Sequence, residues 1–419
     1  MSIWKVKYVI RDYSLLEDQT RMLSSRERAL SALSLEDVDR TPMFELLINS
    51  PIGSKILGRP TIYGNKLASV ELLIKGKRKK LVIESTKDQI ELYKKLDLDI
   101  MMVRLCVAER YVPPKRIGPN EFMYSIYRTV PGEVYISEGL YSKVRYNPES
   151  DMMTEYESTI GLEGLPALEE YIRQLEGEEV GVDGSQLESI EYARKRVGDE
   201  ILLMGNADGT FPVSHATWLP LFLKCMYLRP DLVRRLMHES TRRAVESIKA
   251  QVDAGVEAIA GCTDWAYDHG PFFSPKHFRE FILPSLKEHV RVCHKLGVPF
   301  IKHTDGNIES IESPFLVESG VDGYHAIEPR AGMDIARLKR LYGDRICLLG
   351  NVDCAITLVY GSREDVIRET RRCIRAASPG GGHVLSSSNS IHSGVKIENF
   401  LTMLETNKKY GKHPASIGG

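Results

Sequence analysis

The chain is predicted to be an α/β protein folded as a (β/α)8 barrel, and three features of its sequence point there. From about residue 200 onward, short apolar runs alternate with amphipathic stretches of helical length. Those runs are apolar at nearly every position, as parallel strands are when helices cover both faces. No G-x-G-x-x-G follows the first strand candidate, so an open dinucleotide-binding sheet has no support. With 419 residues, one large core is affordable. The expected organisation is a single domain over residues 1–419, with an antiparallel β insertion at about 112–160.

Taken in order, the elements are these. Ser24-Ser25-Arg26-Glu27 has capping-box spacing, with Leu30 and Leu33 as an apolar stripe, so the first 40 residues read as mostly helical up to Pro42. Met43–Leu47 is the first strand candidate, and it carries Glu45, a carboxylate that needs a partner inside an apolar run. Leu72-Leu73-Ile74 and Leu81-Val82-Ile83 flank the basic run Lys75–Lys80, a pattern that predicts a hairpin with a charged tip. Residues 87–96 read as a helix, and Leu98–Leu105 as the second strand. Period-2 alternation through 122–127 and 133–144, around Pro131-Gly132, predicts the insertion, expected near the C-terminal mouth of the barrel.

A regular rhythm follows. Helices at 166–176 and 186–197 lead to a strand at 201–205, and a helix at 230–254 leads to one at 258–262. Helices at 275–296, 308–319, 334–342 and 363–376 lead to strands at 298–301, 323–327, 346–350 and 383–386, and a last helix covers 397–409. Ser274 before Pro275, and Ser362 with Asp365, mark helix starts.

In such a barrel the active site lies at the C-terminal ends of the strands. There the sequence offers Glu45, Arg104, Asn206 and Asp208 from the first three strands, then Asp264 with Trp265, Tyr267, Asp268 and His269 after it. His303 and Asp305 follow the fifth strand, Glu328 the sixth, Asn351 and Asp353 the seventh, and Ser387, Ser388 and Asn389 the eighth. Val298–Asn307 is the centre of this set, because alternation sends residues 303 and 305 to one face. His303, Asp305, Asp264 and Glu328 form the predicted catalytic group. His303, Asp305 and Glu328 suit Zn²⁺ or a harder divalent ion, and the same group suits acid–base work without metal. Asn351, Asp353 and Ser386–Ser388 read equally well as backbone caps. Cys262 reads as core.

Net charge is −1, so no global field favours nucleic acid or an anionic membrane. No apolar segment approaches the ~20 residues that span a bilayer, and no signal peptide is evident at the N-terminus. Seven scattered cysteines without C-x-x-C predict a reduced, cytoplasmic protein with neither a disulfide framework nor a zinc knuckle.

Several segments together resemble the uroporphyrinogen decarboxylase superfamily. They are Arg26-Glu27-Arg28 through Val38-Asp39-Arg40-Thr41-Pro42, Gly270-Pro271-Phe272-Phe273-Ser274-Pro275, and Gly320-Val321-Asp322-Gly323 leading to Glu328-Pro329. Leu349-Gly350-Asn351-Val352-Asp353 and Gly380-Gly381-Gly382-His383 with Glu398-Asn399 complete the match, which runs from 24 to 412 apart from the insertion. The resemblance implies a (β/α)8 barrel. Two departures set the chain apart from the porphyrinogen decarboxylase itself. Met43–Leu47 holds no arginine where that enzyme grips substrate carboxylates, and Arg104-Leu105-Cys106 stands where its catalytic aspartate falls.

The superfamily's corrinoid-dependent methyltransferases are the other branch. In coenzyme M members, zinc sits on His-x-Cys and a later Cys. Here His303 matches the histidine, while Asp305 and Asn389 stand where the cysteines would be. The resemblance therefore implies a step on the methyl-donor side: a small methylated substrate, such as an aryl methyl ether, gives its methyl group to cobalamin carried by a partner corrinoid protein. Trp265, Tyr267 and Phe272 would wall the substrate, with Glu45, Arg104, Asn351, Ser388 and Asn389 around it. A homodimer is compatible with this reading. A metal-free decarboxylase or lyase, with His303 or Asp305 protonating a carbanion, is the alternative, and a non-catalytic binding barrel is the third reading.

Overall fold

The computed structural model describes residues 22–125 and 139–412. The first described element, the helix Ser25–Leu33, starts with the capping box foreseen: Ser24 accepts from the Glu27 N–H and Glu27 reaches back to the Ser24 N–H. Helices Ser50–Leu57, Lys66–Ile74 and Arg78–Leu96 follow, then β1 (Ile100–Met102). An antiparallel sheet of β2 (Lys115–Gly118), β3 (Glu121–Ser125), β4 (Tyr141–Asn147) and β5 (Met152–Ser158) is the predicted insertion. Residues 126–127, Pro131-Gly132 and the first half of the 133–144 run, 133–138, lie outside the described residues.

Helices Leu165–Gly177 and Glu188–Val197 then lead to β6 (Leu202–Asn206), and Pro230–Asp253 leads to β7 (Ala258–Gly261). A small β8–β9 hairpin (Ala266–Tyr267, Gly270–Pro271) follows. The remaining strands are β10 (Phe300–Thr304), β11 (Gly323–Ala326), β12 (Cys347–Leu349) and β13 (His383–Val384), and helix Ile397–Tyr410 closes the described chain. Strands β1, β6, β7, β10, β11, β12 and β13 make one parallel sheet of seven, ordered as in the sequence. The sheet is curled: Met43 makes a parallel bridge to Leu385 beyond β13, and Phe44 one to Ile100 of β1. The predicted first strand is thus reduced to bridges that join the sheet's two edges.

Alternation along the strands sorts the core into two layers. Met101, Leu203, Ile259, Phe300, Tyr324 and Leu348 pack outward onto the helices. Ile100, Leu202, Met204, Ala258, Ala260, Ile301, Cys347 and Leu349 face inward, where Ala29, Ala32 and Leu33 of the N-terminal helix join them. Fully burying each large side chain contributes about 1.5–3 kcal/mol.

The hairpin expected around Lys75–Lys80 is not there: both apolar triplets belong to helices, Lys66–Ile74 and Arg78–Leu96. Asn65 caps the first by accepting from the Ala68 N–H at 2.8 Å. In the second, buried Val82, Thr86, Gln89, Tyr93 and Leu96 recur at helical spacing, a signal that three-residue windows cannot show. The segment 308–319 is helical only in short pieces, a tight turn at Glu309–Ile311 and a wide one at Pro314–Glu318.

The insertion touches two loops at the C-terminal ends of strands. Ser393, beyond β13, donates to the Glu149 carbonyl at 3.1 Å. Glu155 accepts from the Thr217 N–H and hydroxyl, both at 2.8 Å, in the loop after β6.

Candidate metal centre

The chain leaves β10 with His303 pointing along the inward parity of Ile301, and Gly306 then makes a tight turn. Its φ is +83°, and a Cβ there would come within 2.4 Å of the Ala266 carbonyl carbon, so only glycine lets the two loops meet. Asn307 N–H donates to the Tyr267 carbonyl at 2.9 Å, and the Asp305 N–H donates to Asp264 Oδ1 at 3.0 Å. The backbone therefore holds the ends of β7 and β10 together and brings their side chains into one cluster.

Ligand atoms of Asp264, His303 and Asp305 all lie within 4.8 Å of one another. His303 Nε2 is 3.5 Å from Asp264 Oδ1 and 3.7 Å from Asp305 Oδ1. Asp305 Oδ2 accepts from the Asn389 amide, while Oδ1 is buried with no hydrogen-bond partner. A buried carboxylate oxygen aimed at an imidazole nitrogen and a second carboxylate is costly when left unmet.

The electrostatics follow from that crowding. Burial first, then the Asp264 and Glu328 carboxylates, push Asp305 up to about 8. Burial works against ionised Asp264 too, but the His215 bond, the nearby His303 ring and the Asp305 N–H hold it below the usual carboxylate range. Burial outweighs Asp264's attraction and brings His303 down to about 4, so its ring is neutral at pH 7. Burial also raises Glu328.

Three side chains that shape this centre, His325, Lys302 and His215, were not among the residues expected from the sequence. His325 stands opposite His303 across the β10–β11 pair. Their Nδ1 atoms are 2.8 Å apart, and His325 Nε2 lies 3.2 Å from Ser386 Oγ. When His303 Nδ1–H donates to His325, the lone pair of His303 Nε2 faces the two carboxylates, the arrangement a metal-binding histidine needs. Lys302 is fully buried behind the cluster. Its Nζ pairs with Asp208 Oδ2 at 2.9 Å, donates to the Thr263 carbonyl at 2.6 Å, and sits 4.2 Å above the Trp265 ring. Burial would raise Asp208, but Lys302, His289 and bonds from Thr210 and Thr263 bring it down to about 2. Gly261 leaves room for this pair, since a Cβ there would meet Asp208 Oδ2 at 2.8 Å. His215, at the rim, places Nε2 3.3 Å from Asp264 Oδ2. A lysine or histidine inside an apolar run looks like an anomaly in sequence, and the signal that was needed is its partner, on the adjacent strand for His325 and two strands away for Lys302.

The predicted residues separate into three groups. Glu328 stands beside the triad and not within it: its Oε2 accepts from the Gly306 N–H at 2.8 Å. Tyr267 is exposed and stacks on half-buried Phe272 at the mouth. Trp265 is wholly buried, donating from Nε1 to Thr210 Oγ1 at 3.1 Å, so it packs behind the centre and not along its wall. Asn351 ties Nδ2 to the Ile327 carbonyl, and Asp353 accepts from the Ala355 and Ile356 N–H groups, both backbone caps as the alternative reading had it. Ser388 Oγ accepts from the Cys354 N–H. Glu45 is fully buried, held by the Ser387 N–H at 3.1 Å and its hydroxyl at 2.5 Å. Arg104 is exposed over a cleft beside the first two strand ends. Cys262 is half-buried just past β7, its thiol pushed by burial up to about 12.

A curled parallel sheet with buried carboxylates and imidazoles at its C-terminal strand ends defines a barrel-like enzyme class. Residues 160–410 match the uroporphyrinogen decarboxylase (URO-D) family model, and the chain belongs to that family. Among curated relatives, a methylcobamide:CoM methyltransferase of Methanosarcina barkeri is 28% identical over 250 residues, 57% of this chain and 70% of that protein. A uroporphyrinogen decarboxylase of Azoarcus is 30% identical over 198 residues, 46% of this chain, and the match spans about half of that enzyme, 52%. The relatives are thus enzymes of two kinds. A methyltransferase structure from Methanosarcina mazei shares the fold, with a TM-score of 0.63 over 93% of this chain and 99% of that one, at 19% identity.

Proposed function

We propose that this protein is a methyltransferase that takes a methyl group from a small O- or N-methylated substrate, such as an aryl methyl ether, and delivers it to cobalamin on a partner corrinoid protein. The fold behind the reading is a single (β/α)8 barrel domain, with the 43–44 bridges as its eighth strand position and the insertion near the mouth. The observation that carries it is the unmet Asp305 Oδ1 facing His303 Nε2 and Asp264. Two carboxylates and a neutral imidazole are a hard O/N donor set, which fits Zn²⁺ or another divalent ion better than a thiolate site would fit a thiol reaction. When bound, such an ion supplies Lewis acidity that makes an ether oxygen or amine nitrogen a better leaving group.

The chain's own residues do the rest. Asp264 and Asp305 supply negative charge, with Asn389 holding Asp305 in place. His325 and Ser386 fix the tautomer of His303. Glu328 braces the Gly306 turn. Tyr267 and Phe272 offer an aromatic wall. The match to a methylcobamide methyltransferase supports the corrinoid partner.

One observation favours a second reading: without a cation, Asp305 holds its proton up to about pH 8. A protonated carboxyl beside a neutral histidine is a competent acid for a carbanion, as a metal-free decarboxylase or lyase requires. Anaerobic incubation with cob(I)alamin and a panel of methoxylated aromatics and methylamines separates the two. Methyl transfer gives the methyl-Co(III) spectrum, and His303→Ala abolishes it. A silent panel, with CO₂ released from a carboxylated substrate, overturns methyl transfer in favour of the lyase.

A further inference from the structure

Beside the metal centre, between the ends of the first two strand segments and helix Arg78–Leu96, lies a cleft of about 240 Å³. Leu46, Val82, Val103 and Leu105 line it, with Gln89 and Arg104 as polar members. Its size is that of a one-ring molecule. Arg104 is charged and exposed at its edge, yet among the described residues its guanidinium makes one weak contact, Nη2 to Met102 Sδ at 3.7 Å. Among the described residues no carboxylate forms an ion pair with Arg104. A guanidinium at the edge of an apolar cleft with no ion-pair partner is an unfavourable arrangement until an anion meets it. Arg104 follows β1, a strand of the same parallel sheet as β7 and β10, so an anion on it lies at the strand-end face that carries Asp264, His303 and Asp305.

We propose that the substrate is an anionic one-ring molecule whose carboxylate is gripped by Arg104, and whose apolar body lies against Leu46, Val103 and Leu105. The planar guanidinium fork suits a carboxylate, which it can meet with two parallel N–H donors. The arginine is not where the porphyrinogen decarboxylase grips its substrate, after Pro42, and one fork matches one acid group. The inference rests on the reading of this mouth as a small-substrate site, and it adds the charge that substrate must carry.

The test is calorimetric binding to the intact protein, without corrinoid and without turnover, using 4-methoxybenzoate and its neutral isostere 4-methoxybenzamide. The benzoate should bind at least tenfold tighter, and raising salt from 50 to 200 mM should weaken the benzoate alone. Arg104→Gln should erase the preference, and a circular dichroism spectrum matching the parent's shows that the variant is folded. Equal binding of the two probes, binding of neither, or a preference that survives Arg104→Gln overturns the inference. The two readings fail separately. Benzoate that binds through Arg104 without methyl transfer leaves the carboxylate subsite standing. A neutral methyl donor that turns over while the benzoate does not bind leaves methyl transfer standing and removes the subsite.

Discussion

A histidine's two nitrogens set the first prediction. His325 has no carboxylate to offer and sits wholly inside the core, so its effect on the centre runs through the 2.8 Å contact with His303 Nδ1. His325→Phe keeps the ring's bulk and removes that contact, and we expect Zn²⁺ affinity to fall about 10- to 100-fold. Titration calorimetry on the two proteins, with matching circular dichroism, decides it; an unchanged affinity would mean that His325 only fills space. Glu45 sets the second. Its folded pKa is pushed by burial up to about 8, with the Ser387 bonds opposing. The folded state therefore holds a proton that the unfolded chain has lost above its ordinary carboxylate range, and this site's stabilisation declines as pH rises toward 8, by up to about 1.4 kcal/mol per pH unit. Glu45→Gln removes that slope. In urea unfolding at pH 5.5, 6.5 and 7.5, the variant's stability relative to the parent should climb with pH, and a flat difference would refute the assignment. His303, Asp305 and Asp264 were legible because each follows an apolar run at a strand end. His325 and Lys302 were not, because their meaning lies in partners: His303 across a strand pair, and Asp208 beyond β6.

Caps, strands and helix lengths were readable because their causes are local. The boxes at Ser24 and Ser362 form as their spacing says, and each parallel strand lies where an apolar run was. What was misread depended on longer windows or distant contacts: the helical stretch from 66 to 86, and the first strand, whose 43–44 bridges exist only because both edges of the sheet come to it. One buried carboxylate explains how that closure is held. Asp99 receives Arg28 Nη1 at 2.6 Å, Arg40 Nη1 at 3.0 Å and the Met43 N–H at 2.7 Å, so it ties the N-terminal helix and the bridging segment to the start of β1. Asp99→Asn would leave two arginines facing an uncharged amide, with only Asp39 still pairing Arg28. We expect a loss of about 3–5 kcal/mol in chemical unfolding. Asp97→Asn, two residues away and half-exposed, should cost less than about 1 kcal/mol. Similar losses for the two would show that the Asp99 network is not what holds the closure.

At the scale of the whole molecule, the metal and acid readings make opposite demands on stability. Asp264 and Asp305 belong to different strand ends, brought together only by folding, so an ion on both binds the native state and not the unfolded chain. Mass action then stabilises the fold by about 2.7 kcal/mol at a hundredfold excess over Kd. For a chain of 419 residues, typical unfolding entropies turn that into a Tm rise of about 3 °C. Unfolding scans with Zn²⁺, Co²⁺, Mn²⁺ and Mg²⁺ should show such a rise for at least one ion, reversed by chelator. His303→Ala should fold, lose the rise and keep the Tm of the chelated parent within a degree or so, since the deleted ring leaves one carboxyl protonated beside it. The acid reading predicts something else: no ion shifts Tm, and Asp305→Asn raises stability near pH 8 by replacing a carboxyl that would otherwise ionise among Asp264 and Glu328. A scan with no metal effect and a stabilised Asp305→Asn would move the chemistry of this mouth from leaving-group activation to proton donation, and with it the protein from methyl transfer to carbon–carbon cleavage.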